Sequence, residues 1–218
     1  MAGFAITNHT DRVFLLNALE LLATVFRGPD RDGWQGVFDT GLPELMAQAP
    51  SRLGHLTDIL GGLQAARPAD LDELESEYVR LFIAAGGGVA APLYESCHTG
   101  TTPRVMGESA LSMARRLAEA GLEPAGQANE PPDHLATEIE YLYHLLATGW
   151  TRDDPEAEAL GLAFAREVMR PWTGRFTAAL DAGSPHPVYA GTASLLCALL
   201  DALTDASFKA QPSATGHA

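Results

Sequence analysis

Apolar residues recur at steps of three and four along almost the whole chain, and this spacing restricts the fold more than any other feature. Phe14, Leu22, Val25 and Phe26 set the pattern. Leu71, Leu74, Tyr78, Leu81 and Phe82 repeat it, and so do Leu135, Ile139, Leu142 and Leu146. No segment alternates apolar and polar residues with β-branched enrichment, so no strand is expected. The chain reads as all-α, a single-domain bundle of about eight to ten helices with short antiparallel connections. Its 218 residues are enough for one core. That domain is expected over residues 1–210, with 211–218 a disordered tail.

Proline and glycine mark the joints. Gly28-Pro29 ends a first helix capped by Thr10, and 30–41 reads as a loop anchored by Trp34 and Phe38. Pro43 and Ser51 open two further helices. Asp70 with Glu73 forms a capping box for the helix that carries Tyr78. Gly86, Gly87 and Gly88 stop that helix, and Pro103 opens the next. Pro131 and Pro132 pre-set the first turn of a long helix, capped by Asn129 or Glu130. Asp153 or Asp154 caps the following one, Pro171-Trp172 marks a joint, and a last helix is expected from Val188 to Ala206.

The formal net charge is −14. Nucleic acid and anionic lipid need positive charge, so neither is an expected partner. A basic partner is favoured, because opposite charge speeds encounter and selects against wrong partners. No run is long and apolar enough to span a bilayer; Ala190 to Leu203 comes closest and is interrupted by polar residues. The first residues lack a basic segment ahead of an apolar one, so a cytoplasmic protein without stable membrane insertion is expected. Cys97 and Cys197 make no metal-spaced pair and read as free thiols.

Two stretches hold the groups that bear chemistry. One runs E-Y-V-R-L-F from Glu77, through the glycines, to P-L-Y-E-S at Pro92–Ser96. The other is E-P-P-D-H-L at Glu130–Leu135. With helix from Pro131 onward, Glu130, His134 and Glu138 fall at steps of four on one face. That offers a second reading, a helical metal-dependent enzyme using His134 with Glu130 and Glu138. The ligand set lacks the duplicated Glu-x-x-His of di-iron bundles and any His-Glu-x-x-His. Ser96, Cys97 and His98 are neighbours in sequence, which is not a triad, and no oxyanion-hole element accompanies them. A third reading is a purely structural interaction protein with its groove packed shut.

The three pieces together resemble the TorD/DmsD-type chaperones, cytoplasmic maturation factors of molybdenum oxidoreductases. E-Y-V-R-L-F followed by P-L-Y-E-S is similar to that family's Tyr-x-x-Leu-Phe and Pro-x-Tyr-x-Ser. E-P-P-D-H-L with Glu138 looks like its Glu-x-x-Asp-His motif. P-W-T-G-R-F from Pro171 and V-Y-A-G-T-A from Val188 resemble its closing Pro-Trp…Phe…Tyr segment. The resemblance spans about Asp70 to Leu203. It implies an all-helical protein that catalyses nothing and holds no cofactor of its own. Its implied partners are the twin-arginine leader and the apo form of a molybdopterin oxidoreductase catalytic subunit. A monomer is expected, with Gly and Pro hinges that permit a domain-swapped dimer.

A leader with two arginines ahead of an apolar segment needs carboxylates and a greasy groove. Planar guanidinium pairs with carboxylate through two bonds at once. Glu95, Glu130, Asp133 and Glu138 are the candidates for the charged part. Tyr78, Leu81, Phe82, Pro92 and Tyr94 are candidates for the apolar part. Ser96 lies between them, and His134 is placed to orient Asp133 or to bond the leader backbone.

Overall fold

The computed structural model describes residues 9–50, 53–84, 88–99, 105–122 and 130–204. Among them every regular element is helical: α1 (His9–Arg27), α2 (Arg31–Gly36), α3 (Leu42–Gln48), α4 (Gly54–Ala65), α5 (Asp72–Tyr78), α6 (Glu108–Glu119), α7 (Leu135–Thr151), α8 (Pro155–Phe164), α9 (Arg170–Ala182) and α10 (Pro187–Thr204). Single π-helical turns cover Val37–Gly41, Val79–Ile83 and Ala165–Met169, and a 3₁₀ turn covers Glu95–Cys97. The all-helical class read from the periodicity is the observed one.

The buried apolar side chains form one continuous cluster. α1 and α7 lie side by side in its middle, α8 packs on α7, and α10 packs on α4 and α9. Phe14, Leu15, Ala18 and Leu22 of α1 and Leu135, Ile139, Leu142 and Leu146 of α7 are all fully buried. α10 runs the 18 residues from Pro187 to Thr204 and is by length and composition apolar enough to cross a membrane. This corrects the shorter span read from sequence. Its Leu195, Leu196, Leu199 and Leu200 are fully buried in the bundle.

Four local expectations change. Of the stretch 30–41, Arg31 onward is helical, because Trp34, Val37, Phe38 and Leu42 recur at helical spacing and all are buried. Pro171 makes no joint: it occupies the first turn of α9, which follows directly on the π-helical turn Ala165–Met169. Asp70 acts at α5 through its carboxylate, which accepts from Asp72 N at 3.1 Å, and the cap position itself is Leu71. The long helix begins at Leu135 and not at Pro131. Glu130 and Pro131 each precede a proline, which disfavours the α region at both. The Ser51 cap, Gly86-Gly87, Pro103, Asn129 and the 211–218 tail lie outside the described residues.

A seam between two distant segments as the candidate functional site

The two motif-bearing stretches meet. Tyr94 and His134 form an antiparallel bridge. Glu95 N donates to Asp133 O at 3.1 Å, and Leu135 N donates to Leu93 O at 2.7 Å. The Asp133 carboxylate adds a third tie, its Oδ2 accepting from Ser96 N at 2.9 Å. The Tyr94 and His134 rings stand edge to face with centroids 5.3 Å apart. The loop is held from its other side as well. His98 Nε2 bonds Pro92 O at 2.7 Å, its ring stacks on Trp172, and Arg175 donates to His98 O at 2.6 Å.

Because α7 starts at Leu135, His134 is its N-cap. The imidazole Nδ1 accepts from Ala136 N at 3.2 Å. The neutral ring therefore carries its proton on Nε2, which faces Glu130 Oε1 at 3.6 Å. Burial and then the nearby Arg27 guanidinium push the His134 pKa down to about 4. Glu130 is half-buried, and desolvation raises its carboxyl. The arrangement of Glu130, His134 and Glu138 on one helical face does not occur: only Glu138 is within the helix. Among the described residues no group of three or more His, Cys, Asp or Glu side chains is placed to hold a metal ion.

A depressed histidine makes a stability prediction with a defined sign. The unfolded ring titrates near 6.5 and the folded one near 4. The neutral folded form thus contributes stability above pH 6.5, which is lost progressively as pH falls toward and below 4. The loss should reach about 3 kcal/mol. His134→Asn keeps a good capping acceptor without the titration. Urea midpoints at pH 7 and pH 4 should fall further apart for wild type than for His134→Asn; equal spacing would contradict the assignment.

Behind the seam lies a buried acidic cluster. Asp133 and Glu138 are fully buried and Ser96 nearly so. Glu138 Oε2 accepts from Trp172 Nε1 at 3.0 Å. Burial, reinforced by the neighbouring Glu95 and Asp133 carboxyls, raises the Glu138 pKa well above the ordinary carboxylate value. Desolvation raises Glu95 too, against hydrogen bonds from Ser109 and Glu138 and the field of Arg116. Ser96 Oγ and Asp133 Oδ1 are enclosed and have no hydrogen-bond partner within the described residues.

The apolar candidates divide. Pro92 and Tyr94 are half-buried at the seam. Tyr78, Leu81 and Phe82 are core residues with 3 %, 0 % and 5 % exposure. Tyr78 donates to Phe26 O at 3.0 Å, and Phe82 lies against Phe176 and Tyr189. One open apolar surface lies elsewhere. A cleft of about 610 Å³ between α1 and α7 is lined by Leu19, Ala23, Arg27, Pro29, Glu140 and Tyr143 among others. Arg27 pairs with Glu140 there, and its charge reaches His134 and Glu130. Sequence reading missed this cleft and the roles of Trp172, His98 and Arg27.

A family model described as the nitrate reductase delta subunit matches residues 40–178. The chaperone protein TorD of Vibrio atlanticus is 29 % identical over 165 residues, covering 74 % of this chain and 75 % of that protein. That of Photobacterium profundum is 27 % identical over 140 residues, 62 % of this chain and 63 % of its own length. That of Vibrio vulnificus is 31 % identical over 144 residues, 64 % and 66 %. The crystal structure of a putative redox enzyme maturation protein from Archaeoglobus fulgidus superposes with a TM-score of 0.55 over 85 % of this chain and 93 % of that one; at 24 % identity it is alike in fold. The chain therefore belongs to the nitrate reductase delta subunit family, and the TorD chaperone proteins are among its relatives.

Proposed function

We propose that this protein is a cytoplasmic chaperone that binds the twin-arginine leader of a molybdopterin oxidoreductase catalytic subunit. Through that grip it assists cofactor insertion and folding and holds back export until both are complete. It acts as one helical domain over about residues 1–210. The observation that carries the reading is the Tyr94–His134 seam, which sets Glu95 beside Asp133 and Glu138 from segments far apart in sequence, with Glu130 facing the His134 ring.

The leader's two guanidinium groups are directed to these carboxylates, with Glu95 and Glu130 at the half-exposed rim. Its apolar segment fits the α1–α7 cleft, where Leu19, Ala23 and Tyr143 offer the greasy wall that Tyr78, Leu81 and Phe82 do not. The net charge of −14 draws a basic peptide in and adds rate more than residence time.

Calorimetric titration with a synthetic twin-arginine leader tests this. Replacing both arginines by lysine should weaken binding by about tenfold or more, since lysine lacks the planar fork. Raising salt from about 50 to 500 mM should also weaken it, because rim charges are screened. Equal affinity for both peptides at every salt concentration would contradict the reading.

A further inference from the structure

A second cleft adjoins the one between α1 and α7. Glu20 and Thr24, one turn apart on α1, line both, so the two meet along this ridge of the helix. The second cleft measures about 370 Å³ and lies between α1, α2, the π-helical turn that follows α2, and α3. Leu21, Val37 and Leu45 give it a buried apolar floor. Glu20, Asp32 and Glu44 reach it from three different helices and are exposed. None of the three pairs with a cation among the described residues, and no Lys, Arg or His is among the described residues that line the cleft.

An apolar floor under an acidic rim is the complement of a long cationic side chain. Lysine and arginine lay an aliphatic stem on apolar surface and keep the charged head in water. The three carboxylates are not grouped to hold a metal ion. The position of the cleft names the chain that would carry such a side chain. Arg27 lines the α1–α7 cleft at the end whose charge reaches His134 and Glu130. Glu20 lies two turns back along α1, roughly 10 Å away. A peptide that starts at the seam and lays an apolar stretch in the first cleft therefore comes next to the Glu20–Thr24 ridge, with the second cleft beyond it.

Resting on the leader-binding reading above, we propose that the cleft between α1, α2 and α3 receives the segment that follows the leader's apolar stretch, and that it selects a lysine or arginine there. The stem of that side chain lies on Leu21, Val37 and Leu45, and its head meets Glu20, Asp32 and Glu44 at the rim. Contacts of this kind are solvent-exposed, so they add discrimination among peptides more than bulk affinity. Gly36 offers a way to close the cleft. Its backbone is ordinary helix with φ −59° and ψ −41°, and a Cβ there would meet no atom within 4 Å. A large side chain at 36 therefore fits the fold and takes up space that the peptide needs.

The test is calorimetric titration of the full chain with three synthetic leaders. One ends after its apolar stretch, one continues in a short tail with a lysine, and one carries glutamate in place of that lysine. The lysine tail should tighten binding by about threefold to tenfold over the short peptide, the yield of one or two exposed charge pairs, and the glutamate tail should not. The gain should fade as salt rises to about 500 mM. Asp32→Asn combined with Glu44→Gln should abolish the gain, and so should Gly36→Phe. Both proteins should bind the short peptide as wild type does, which also shows that they are folded. Equal affinity of wild type for all three peptides overturns the second cleft and leaves the chaperone reading standing. A lysine gain that survives both variants overturns it equally. Failure of wild type to bind any of the peptides overturns the leader-binding reading and this inference with it.

Discussion

Trp172→Ala should lower the free energy of unfolding by about 3–5 kcal/mol, the range for deleting a fully buried large aromatic. Trp172 has no exposed surface. Its ring lies edge-on to Phe176 and stacks on His98, so its removal opens a cavity between α9 and the loop from Pro92 to His98. A second loss adds to the cavity. The indole N–H is the donor to Glu138 Oε2. Without it the buried Glu138 carboxyl loses that partner and keeps only Glu95. Trp172→Phe separates the two effects by keeping most of the volume and removing only the donor, and it should cost roughly 1–3 kcal/mol. Chemical denaturation of the three proteins measures this. A loss below about 1 kcal/mol for Trp172→Ala would show that the core does not depend on this residue as described.

Asp133→Ala should weaken leader binding by about tenfold or more, equivalent to about 1.4 kcal/mol, and also destabilise the fold. The sequence alone suggests a binding residue that can be removed without consequence for the helices. The structure gives it a second task, since its carboxylate ties Ser96 N to the turn before α7 at 2.9 Å. Truncation leaves that buried N–H unpaired at a cost of roughly 1–3 kcal/mol. The backbone ties from Glu95 N and Leu135 N survive, so the seam loosens without parting. Asp133→Asn retains an acceptor for Ser96 N and loses the charge. It should fold with nearly wild-type stability and still bind the leader poorly. Wild-type affinity in the Asn protein would mean that the charge of Asp133 plays no part in recognition.

The helical architecture was legible because it rests on periodicity, which survives without knowledge of the partners. Trp34 and Phe38 were readable as anchors, yet their segment was mistaken for a loop. Gly33, Gly36 and Gly41 argue for a break, and burial of Val37 and Leu42 on the same face outweighs them. The start of α7 was misplaced for a related reason. Proline favours a helix's first turn, but two in succession also hold Glu130 and Pro131 out of the α region. That shift moves His134 from mid-helix to the cap and turns it from a candidate ligand into a neutral hydrogen-bond acceptor.

The meeting of the Pro92–Ser96 loop with the Glu130–Leu135 turn was anticipated from the types of residue they carry. Tyr78, Leu81 and Phe82 could not be sorted into core or groove, because both environments select the same side chains. The Glu138–Trp172 bond spans 34 residues and has no local signature in either segment. The α1–α7 cleft depends on how two helices splay, which no single-segment pattern encodes.

Amide hydrogen exchange of the whole protein with and without a twin-arginine leader peptide examines the central claim most directly. Slower exchange should appear together in residues 92–98 and 130–136, with the α1 and α7 faces of the cleft following. Protection confined to other helices, or a peptide that binds while both of these segments exchange unchanged, would contradict it.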